Sequence, residues 1–338
     1  MMYFWLFFSV ALASLLMTAG LRRYALARSI IDIPNARSSH STPTPRGGGV
    51  AIVVALLMIL PVLNALGLAA FEYTVALGGG GALVAIVGFM DDHGHIAARW
   101  RLLGHFIAAV WALMWLKGLA PLSLFGMSVN LSWLGHALAA FYLVWLLNLY
   151  NFMDGIDGIA SVEAVLTCLS ASLLYVLSGL IEFIWPPMLL AAAVLGFLFW
   201  NFPPAKIFMG DAGSGFLGIA LGIISLHAAW VSPVLFWVWL ILLGVFIVDA
   251  TVTLVRRFVR GDRVYEAHRS HAYQFASRQY GRHLPVTLAV AAINVLWLLP
   301  LAASVVLGGV DGALALIVAY LPLALLAIKF HAGEVEKN

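Results

Sequence analysis

Charge is what this sequence has least of. Asp, Glu, Lys and Arg make up 10% of its 338 residues and hydrophobic residues 63%, whereas a water-soluble domain carries about 25% charged residues. So few charges cannot coat a globular surface, which excludes an ordinary soluble protein and leaves lipid as the solvent for most of the chain. Cysteine is almost missing as well. Cys168 stands alone in an apolar run, which excludes an intramolecular disulfide and any cysteine-based metal or redox motif. The net charge of +3 names no partner by itself, and no nucleic-acid binding is expected. The placement of the charges carries the information.

Apolar windows are what the chain has in abundance. A helix rising about 1.5 Å per residue needs about 20 such residues to cross roughly 30 Å of hydrocarbon. Eleven windows qualify, near 3–21, 48–69, 74–90, 102–119, 135–150, 158–180, 186–202, 213–230, 234–255, 285–305 and 312–329. The third is the weakest, because four glycines at 78–81 lower helix propensity. The expected architecture is all-α: one polytopic integral membrane domain over 1–338 with about eleven transmembrane helices. The first window does not read as a cleaved signal, since no basic residue precedes it while Arg22 and Arg23 follow it. With the N-terminus outside, 17 of the 18 Lys and Arg residues fall on or beside inner loops, Lys117 being the exception. The positive-inside rule then makes the N-terminus periplasmic and the C-terminus cytoplasmic.

The polar motifs follow the same division. "DIPNARSSHSTPTPRGGG", "GFMDDHGH", "NLYNFMDGIDG", "IFMGDAGSG" and "RGDRVYEAHRSHAYQ" all lie on the inner side, whereas the outer loops hold little beyond Glu72, Glu182 and Asp311. Asp91 and Asp92 follow the third span directly. They read either as a solvated helix end or as a functional pair, because a helix C-terminus disfavours negative charge. Adjacent carboxylates also repel unless a cation or proton intervenes. Consecutive helical residues point about 100° apart, so the two acids should do different jobs.

Asn148 and Asn151 share a helical face, and Gly155 and Gly158 let the chain turn so that Asp154 and Asp157 point back to the same cleft. Helix capping is the plain alternative, but one cap needs one residue and four are present. Amide and carboxylate oxygens together suit a hard ion such as Mg²⁺, with Mn²⁺ as the substitute, rather than zinc. Asp211, between glycines at the start of the eighth span, reads equally as an N-cap or as part of an anion-binding helix start. Phe208 reads as a membrane anchor or as a stacking face for a planar ring. His268, Arg269 and His271 lack a third nitrogen or sulfur neighbour for zinc and fit a phosphate grip better. Arg256, Arg257 and Arg260 read as headgroup-attracting, topology-setting charges. Histidines 93, 95, 105, 136, 227 and 283 receive no role.

Acid pairs, amides, glycines and basic residues at one membrane face point to metal-assisted phosphoryl transfer, where positioning and charge neutralisation supply most of the catalysis. A lipid-borne substrate should meet a polar cytoplasmic one. The competing class is an ion-coupled transporter, which needs acids near span midpoints. Asp249 and Glu163 come nearest to that requirement.

Five motifs in order, "PTPRGGG", "DD" at 91–92, "NLYNFMDGIDG", "FMGDAGS" and "HRSH", resemble those of the polyprenyl-phosphate N-acetylhexosamine-1-phosphate transferases. The resemblance runs from about position 30 to 280 and beyond by helix count. It implies an enzyme of the bacterial inner membrane, with its active site on the cytoplasmic face. Undecaprenyl phosphate would attack the β-phosphorus of a UDP-N-acetyl sugar and release UMP. On matching positions, Asn151 and Asp211 would hold Mg²⁺ on the diphosphate. Asp157 and Phe208 would recognise uracil, with Asp154 shaping the same pocket, Arg46 closing the nucleotide side and Asn148 a further substrate-binding residue. Asp91, Asp92 and Asp211 would be catalytic, the Asp pair facing the acceptor phosphate, and His268, Arg269 and His271 would contact diphosphate or sugar. The muramyl-pentapeptide branch carries Lys where this chain has His95, and consecutive histidines where it has "HRSH". The wording is closer to the branch that initiates O-antigen, a lipopolysaccharide component, or related cell-envelope polysaccharide. An inactive scaffold is a further alternative, and a homodimer stays open.

Overall fold

The computed structural model describes residues 3–34, 39–94, 96–262 and 269–334. His95, Arg263 and His268 lie outside these described residues. The described residues form a helical bundle with two short antiparallel ribbons. One joins β1 (Ile31–Asp32) to β2 (Thr44–Pro45), and the other joins β3 (Leu122–Leu124) to β4 (Met127–Val129).

Each apolar window becomes helical, because backbone groups in lipid have no partner except one another. The helices are α1 (Trp5–Ala27), α2 (Val50–Ala65), α3 (Phe71–His93), α4 (Ala98–Leu116), α5 (Ser132–Met153), α6 (Ile159–Leu177) and α7 (Trp185–Asn201). There follow α8 (Asp211–Val231), α9 (Pro233–Leu242), α10 (Gly244–Val259), α11 (Ala272–Tyr280), α12 (Leu284–Ile293), α13 (Leu299–Leu307) and α14 (Gly312–Lys329), with a π turn at Asn294–Leu298 joining α12 to α13. Among the described residues eight spans are long and apolar enough to cross a membrane, and a bent pair makes a ninth. The sequence expectation was eleven. The difference lies in α2, whose 16 residues reach only about 24 Å at about 1.5 Å each, and in α4, which opens on Arg99 and Arg101. The expected span 234–255 is also not one rod. It breaks at Leu243, where α9 and α10 meet at 70°, and α10 carries Asp249, Thr253 and Arg257 on its buried face.

The glycine run 78–81 does not interrupt α3. Helices pack closely in lipid where small residues let them. A Cβ at Gly81 would fall 2.5 Å from the Phe216 ring, and one at Gly88 2.6 Å from the Ala212 nitrogen. This close contact seats α3 against α8. The latter is the axis of the bundle: 83% of its span is buried, against 22% for α1. Helix α5 packs on another face of α8, and α7 joins α1 to α6. At the opposite end, Asp311 caps α14 through the Ala313 and Leu314 amides (3.0 and 3.1 Å) and accepts from Phe125 at the β3–β4 turn (2.7 Å).

Candidate active site

At one end of the bundle the C-termini of α3 and α5 meet the N-terminus of α8. Two glycine motifs far apart in sequence make this meeting possible. The Phe208 amide donates to the Pro45 carbonyl (2.8 Å), Gly48 to the Phe208 carbonyl (2.9 Å) and Gly49 to the Met209 carbonyl (2.9 Å). A Cβ on Gly49 would lie 2.5 Å from the Gly213 Cα, so only bare backbone fits. "PRGGG" and "FMGDAG" are therefore two sides of one backbone pairing.

The adjacent acids at the end of α3 take separate partners. Asp91 accepts from the Ile96 amide (2.9 Å) and pairs with Arg101. Asp92 pairs with Arg46 and accepts from the Asp211 and Ala212 amides at 3.1 and 3.2 Å. Thus the oxygen that caps α8 belongs to Asp92 and not to Asp211. The C-terminal position that disfavours an acid on α3 is offset by the positive end of α8 and by the guanidinium. Arg101 also approaches Asp211, at 3.7 Å.

The turn after α5 is pinned from several sides. Ser214 Oγ donates to Asn151 Oδ1 (2.7 Å), which orients that amide towards the start of α8. Gly158, at φ 74°, donates to Asn201 Oδ1 (3.1 Å), and Asn201 in turn donates to the Ile207 carbonyl (3.1 Å). Asp157 Oδ2 accepts from the Ala205 amide (3.0 Å) and Tyr273 Oη donates to the Phe152 carbonyl (2.9 Å). Asn148 donates to the Val144 carbonyl of its own helix (2.7 Å) and faces His105 Nδ1 at 3.4 Å.

These constraints build a cavity of about 360 Å³ whose wall includes Arg46, Asn151, Asp154, Asp157, Phe208 and Asp211. Six residues singled out in three motifs thus share one space. A smaller cavity of about 30 Å³ is lined by Asp91, Arg101, His105 and Asn148, and it shares Asn151 and Asp211 with the larger one. Those two residues stand between the compartments. Asp92 lies behind the wall, its side chain 4% exposed.

Within "HRSH", His271 is placed differently from the sequence expectation. His271 begins α11 with its side chain buried, its Nδ1 3.3 Å from Asp249 Oδ1. It stacks towards Phe152 and Tyr273, and it is not among the described residues lining either cavity. Asp249 also accepts from the Ala272 and Tyr273 amides (2.9 and 3.0 Å), so it holds the start of α11. The Arg269 carbonyl accepts from Arg278 (3.2 Å). His268 lies outside the described residues.

The electrostatics of the larger cavity favour a cation. Its wall carries Asp32, Asp154, Asp157 and Asp211 against Arg46. Burial, then the charges of Asp211, Asp157 and Asp92, push the Asp154 carboxyl far above its ordinary range. Burial works against the Arg46 charge, yet the hydrogen bond and charge of Asp92 raise its pKa. Among the described residues no three His, Cys, Asp or Glu cluster as a metal cage. Mg²⁺ seldom needs one, because it takes one or two protein oxygens and fills the rest with water and phosphate. The Asn151 and Asp211 oxygens fit that requirement.

Several site residues escaped the sequence reading: Asp32, His40, Gln274 and His283 in the larger cavity, and Arg101 and His105 in the smaller. Arg101 had a legible signal, a cation ten residues after Asp91. His283 had none, because its partner Asp157 is remote in sequence.

Acids, amides and glycines of this helical bundle thus converge on a two-compartment cavity at one end. The chain matches the family model described as glycosyl transferase family 4 over residues 74–229. It is 29% identical over 269 residues to the probable undecaprenyl-phosphate N-acetylglucosaminyl 1-phosphate transferase of Bacillus subtilis, covering 78% of this chain and 74% of that relative. It is 32% identical over 248 residues to the decaprenyl-phosphate N-acetylglucosaminephosphotransferase of Mycolicibacterium smegmatis (65% and 59%). It is 30% identical over 220 residues to a phospho-N-acetylmuramoyl-pentapeptide-transferase of Streptococcus pneumoniae (59% and 64%). The chain thus spans about three-fifths of the length of the latter two.

Proposed function

We propose that the protein transfers an N-acetylhexosamine 1-phosphate from a UDP-sugar to undecaprenyl phosphate at the cytoplasmic face of a bacterial inner membrane, initiating an O-antigen or related surface polysaccharide. In this reading the N-terminus is periplasmic and the C-terminus cytoplasmic, which the Lys and Arg distribution supports. The observation that carries the reading is the shared wall: Asn151 and Asp211 border both a polar cavity of about 360 Å³ and the compartment of Asp91 and Arg101. A donor diphosphate on one side can then meet an acceptor phosphate on the other.

In the reaction, an acceptor phosphate oxygen bonds to the β-phosphorus of the donor. The bond from that phosphorus to the bridging oxygen breaks, and the electron pair leaves with UMP. The acceptor enters ionised, so no residue need remove a proton. Mg²⁺, or Mn²⁺, would neutralise the diphosphate when bound, and Asn151 and Asp211 are the residues that would hold it. Phe208, with His40 edge-on to it at 4.8 Å between centroids, offers a face for uracil, and Asp157 a carboxylate. Arg46 supplies positive charge at the nucleotide side, and Arg101 supplies it beside Asp91. Asp92 keeps the start of α8, and hence Asp211, in place.

The pneumococcal relatives favour a second reading, a muramyl-pentapeptide donor. One experiment decides: purified protein with Mg²⁺, undecaprenyl phosphate and separate UDP-N-acetyl sugars, UDP-N-acetylmuramyl-pentapeptide included, followed by UMP release. UMP with a simple N-acetylhexosamine donor, abolished by EDTA and in Asp211→Asn, is the expected result. Release only from the pentapeptide donor would move the protein to the second reading, and none from any donor would refute the transferase reading.

A further inference from the structure

We propose that His283 is a positioning residue for the donor nucleotide, setting Asp157 and tying the segment around Ser39 to the turn after α5. The inference rests on the transferase reading. His283 stands one residue before α12, and both ring nitrogens are engaged. Nδ1 lies 3.1 Å from Asp157 Oδ1 and 3.3 Å from the Asp157 amide nitrogen, while Nε2 lies 3.0 Å from the Ser39 carbonyl. One turn along α12, Thr287 Oγ1 donates to the Asp157 carbonyl (2.9 Å). With the Ala205 amide on Oδ2, Asp157 is held through its carboxylate, its amide and its carbonyl.

The imidazole does what an amide side chain cannot, because it presents nitrogens on opposite edges to two chain segments. Protonated, Nδ1 donates to the Asp157 carboxylate; neutral, it accepts from the Asp157 amide. Either form keeps Nε2–H for Ser39, so the turn stays in place in both charge states. The ring also marks where the donor cavity ends. It lines the cavity of about 360 Å³ and a neighbouring one of about 600 Å³, and Ser39, His40, Asp157 and Phe208 line both as well. The base-recognising end of the cavity is thus assembled from three remote segments, with His283 joining two of them. It contacts neither Asn151 nor Asp211, so it acts on donor binding and not on the reacting phosphorus.

The test is steady-state UMP release by wild type, His283→Asn, His283→Gln, Asp157→Asn and the His283→Asn/Asp157→Asn double variant. A lost hydrogen bond to a charged group predicts a donor KM raised roughly tenfold, with kcat within about twofold. The acceptor KM should not move. In the Asp157→Asn background His283→Asn should add little, because neighbouring groups acting through one another are not additive. If His283→Asn does not fold, His283→Gln and Thr287→Val probe the same hold and should raise the same KM. A fall in kcat at unchanged donor KM, or additive effects in the double variant, would overturn the proposal. Wild type inactive with every donor would instead refute the transferase reading, and the inference with it.

Discussion

Replacing Asp92 by Asn changes one atom's chemistry and three contacts. The carboxylate accepts from the Asp211 and Ala212 amides and pairs with Arg46. An amide keeps one acceptor oxygen and turns two N–H donors towards groups that are themselves donors. Losing one charged hydrogen bond removes about 1.5–3 kcal/mol. The Arg46 side chain is 32% exposed, so water screens that ion pair to about 1 kcal/mol. The charge at the start of α8 adds about 0.3–1 kcal/mol. Together these come to about 3–5 kcal/mol, roughly a hundredfold or more in the balance between an ordered and a loosened start of α8. Amide hydrogen exchange at 211–214 should accelerate accordingly, the melting midpoint should drop, and UMP release should fall with them. Arg46→Ala should reproduce part of the loss, and the double variant should cost clearly less than the sum. The reasoning fails if Asp92→Asn abolishes UMP release while exchange and melting stay as in wild type. That outcome would place Asp92 on the substrate instead of under α8.

Three further outcomes follow from the same geometry. Gly49→Ala forces a Cβ to 2.5 Å from the Gly213 Cα, backbone against backbone, and should cost about 3 kcal/mol, seen as a lower melting midpoint and lost UMP release. Asp249→Ala strips the acceptor from the Ala272 and Tyr273 amides and from His271; a loss of about 2–3 kcal/mol should appear as faster exchange confined to the start of α11. For His283, burial works against the charge, but the hydrogen bond and charge of Asp157 and the Ser39 carbonyl raise its pKa above the ordinary 6.5. A raised folded value means that the stabilisation is fully present below pH 6.5 and disappears as pH climbs through the folded value. The melting midpoint of wild type should therefore decline from pH 6 upward more than that of His283→Asn, and parallel curves would refute the charged pair.

The sequence by itself determined the class of this protein and the position of most helices. Transfer of a residue into lipid is a local free energy, so a window average finds α1, α5 and α8 without knowledge of their neighbours. It also singled out Asn151, Asp154, Asp157 and Asp211, because a polar residue at the end of an apolar helix is conspicuous where charge is scarce; Phe208 stood out as an aromatic beside Asp211, and Arg46 only through the family resemblance. Partners were another matter. That Asp92 caps a helix begun by Asp211, that Asp249 holds the start of α11, and that His283 bridges Ser39 and Asp157 are facts about segments distant in sequence. No periodicity or spacing encodes which helix end will face which acid. The same holds for the break at Leu243 and for the glycines of α3, whose value comes from the ring and backbone packed against them. Tertiary structure decided these points because a hydrogen bond or a close approach is a property of a pair, and only folding brings the second member into place.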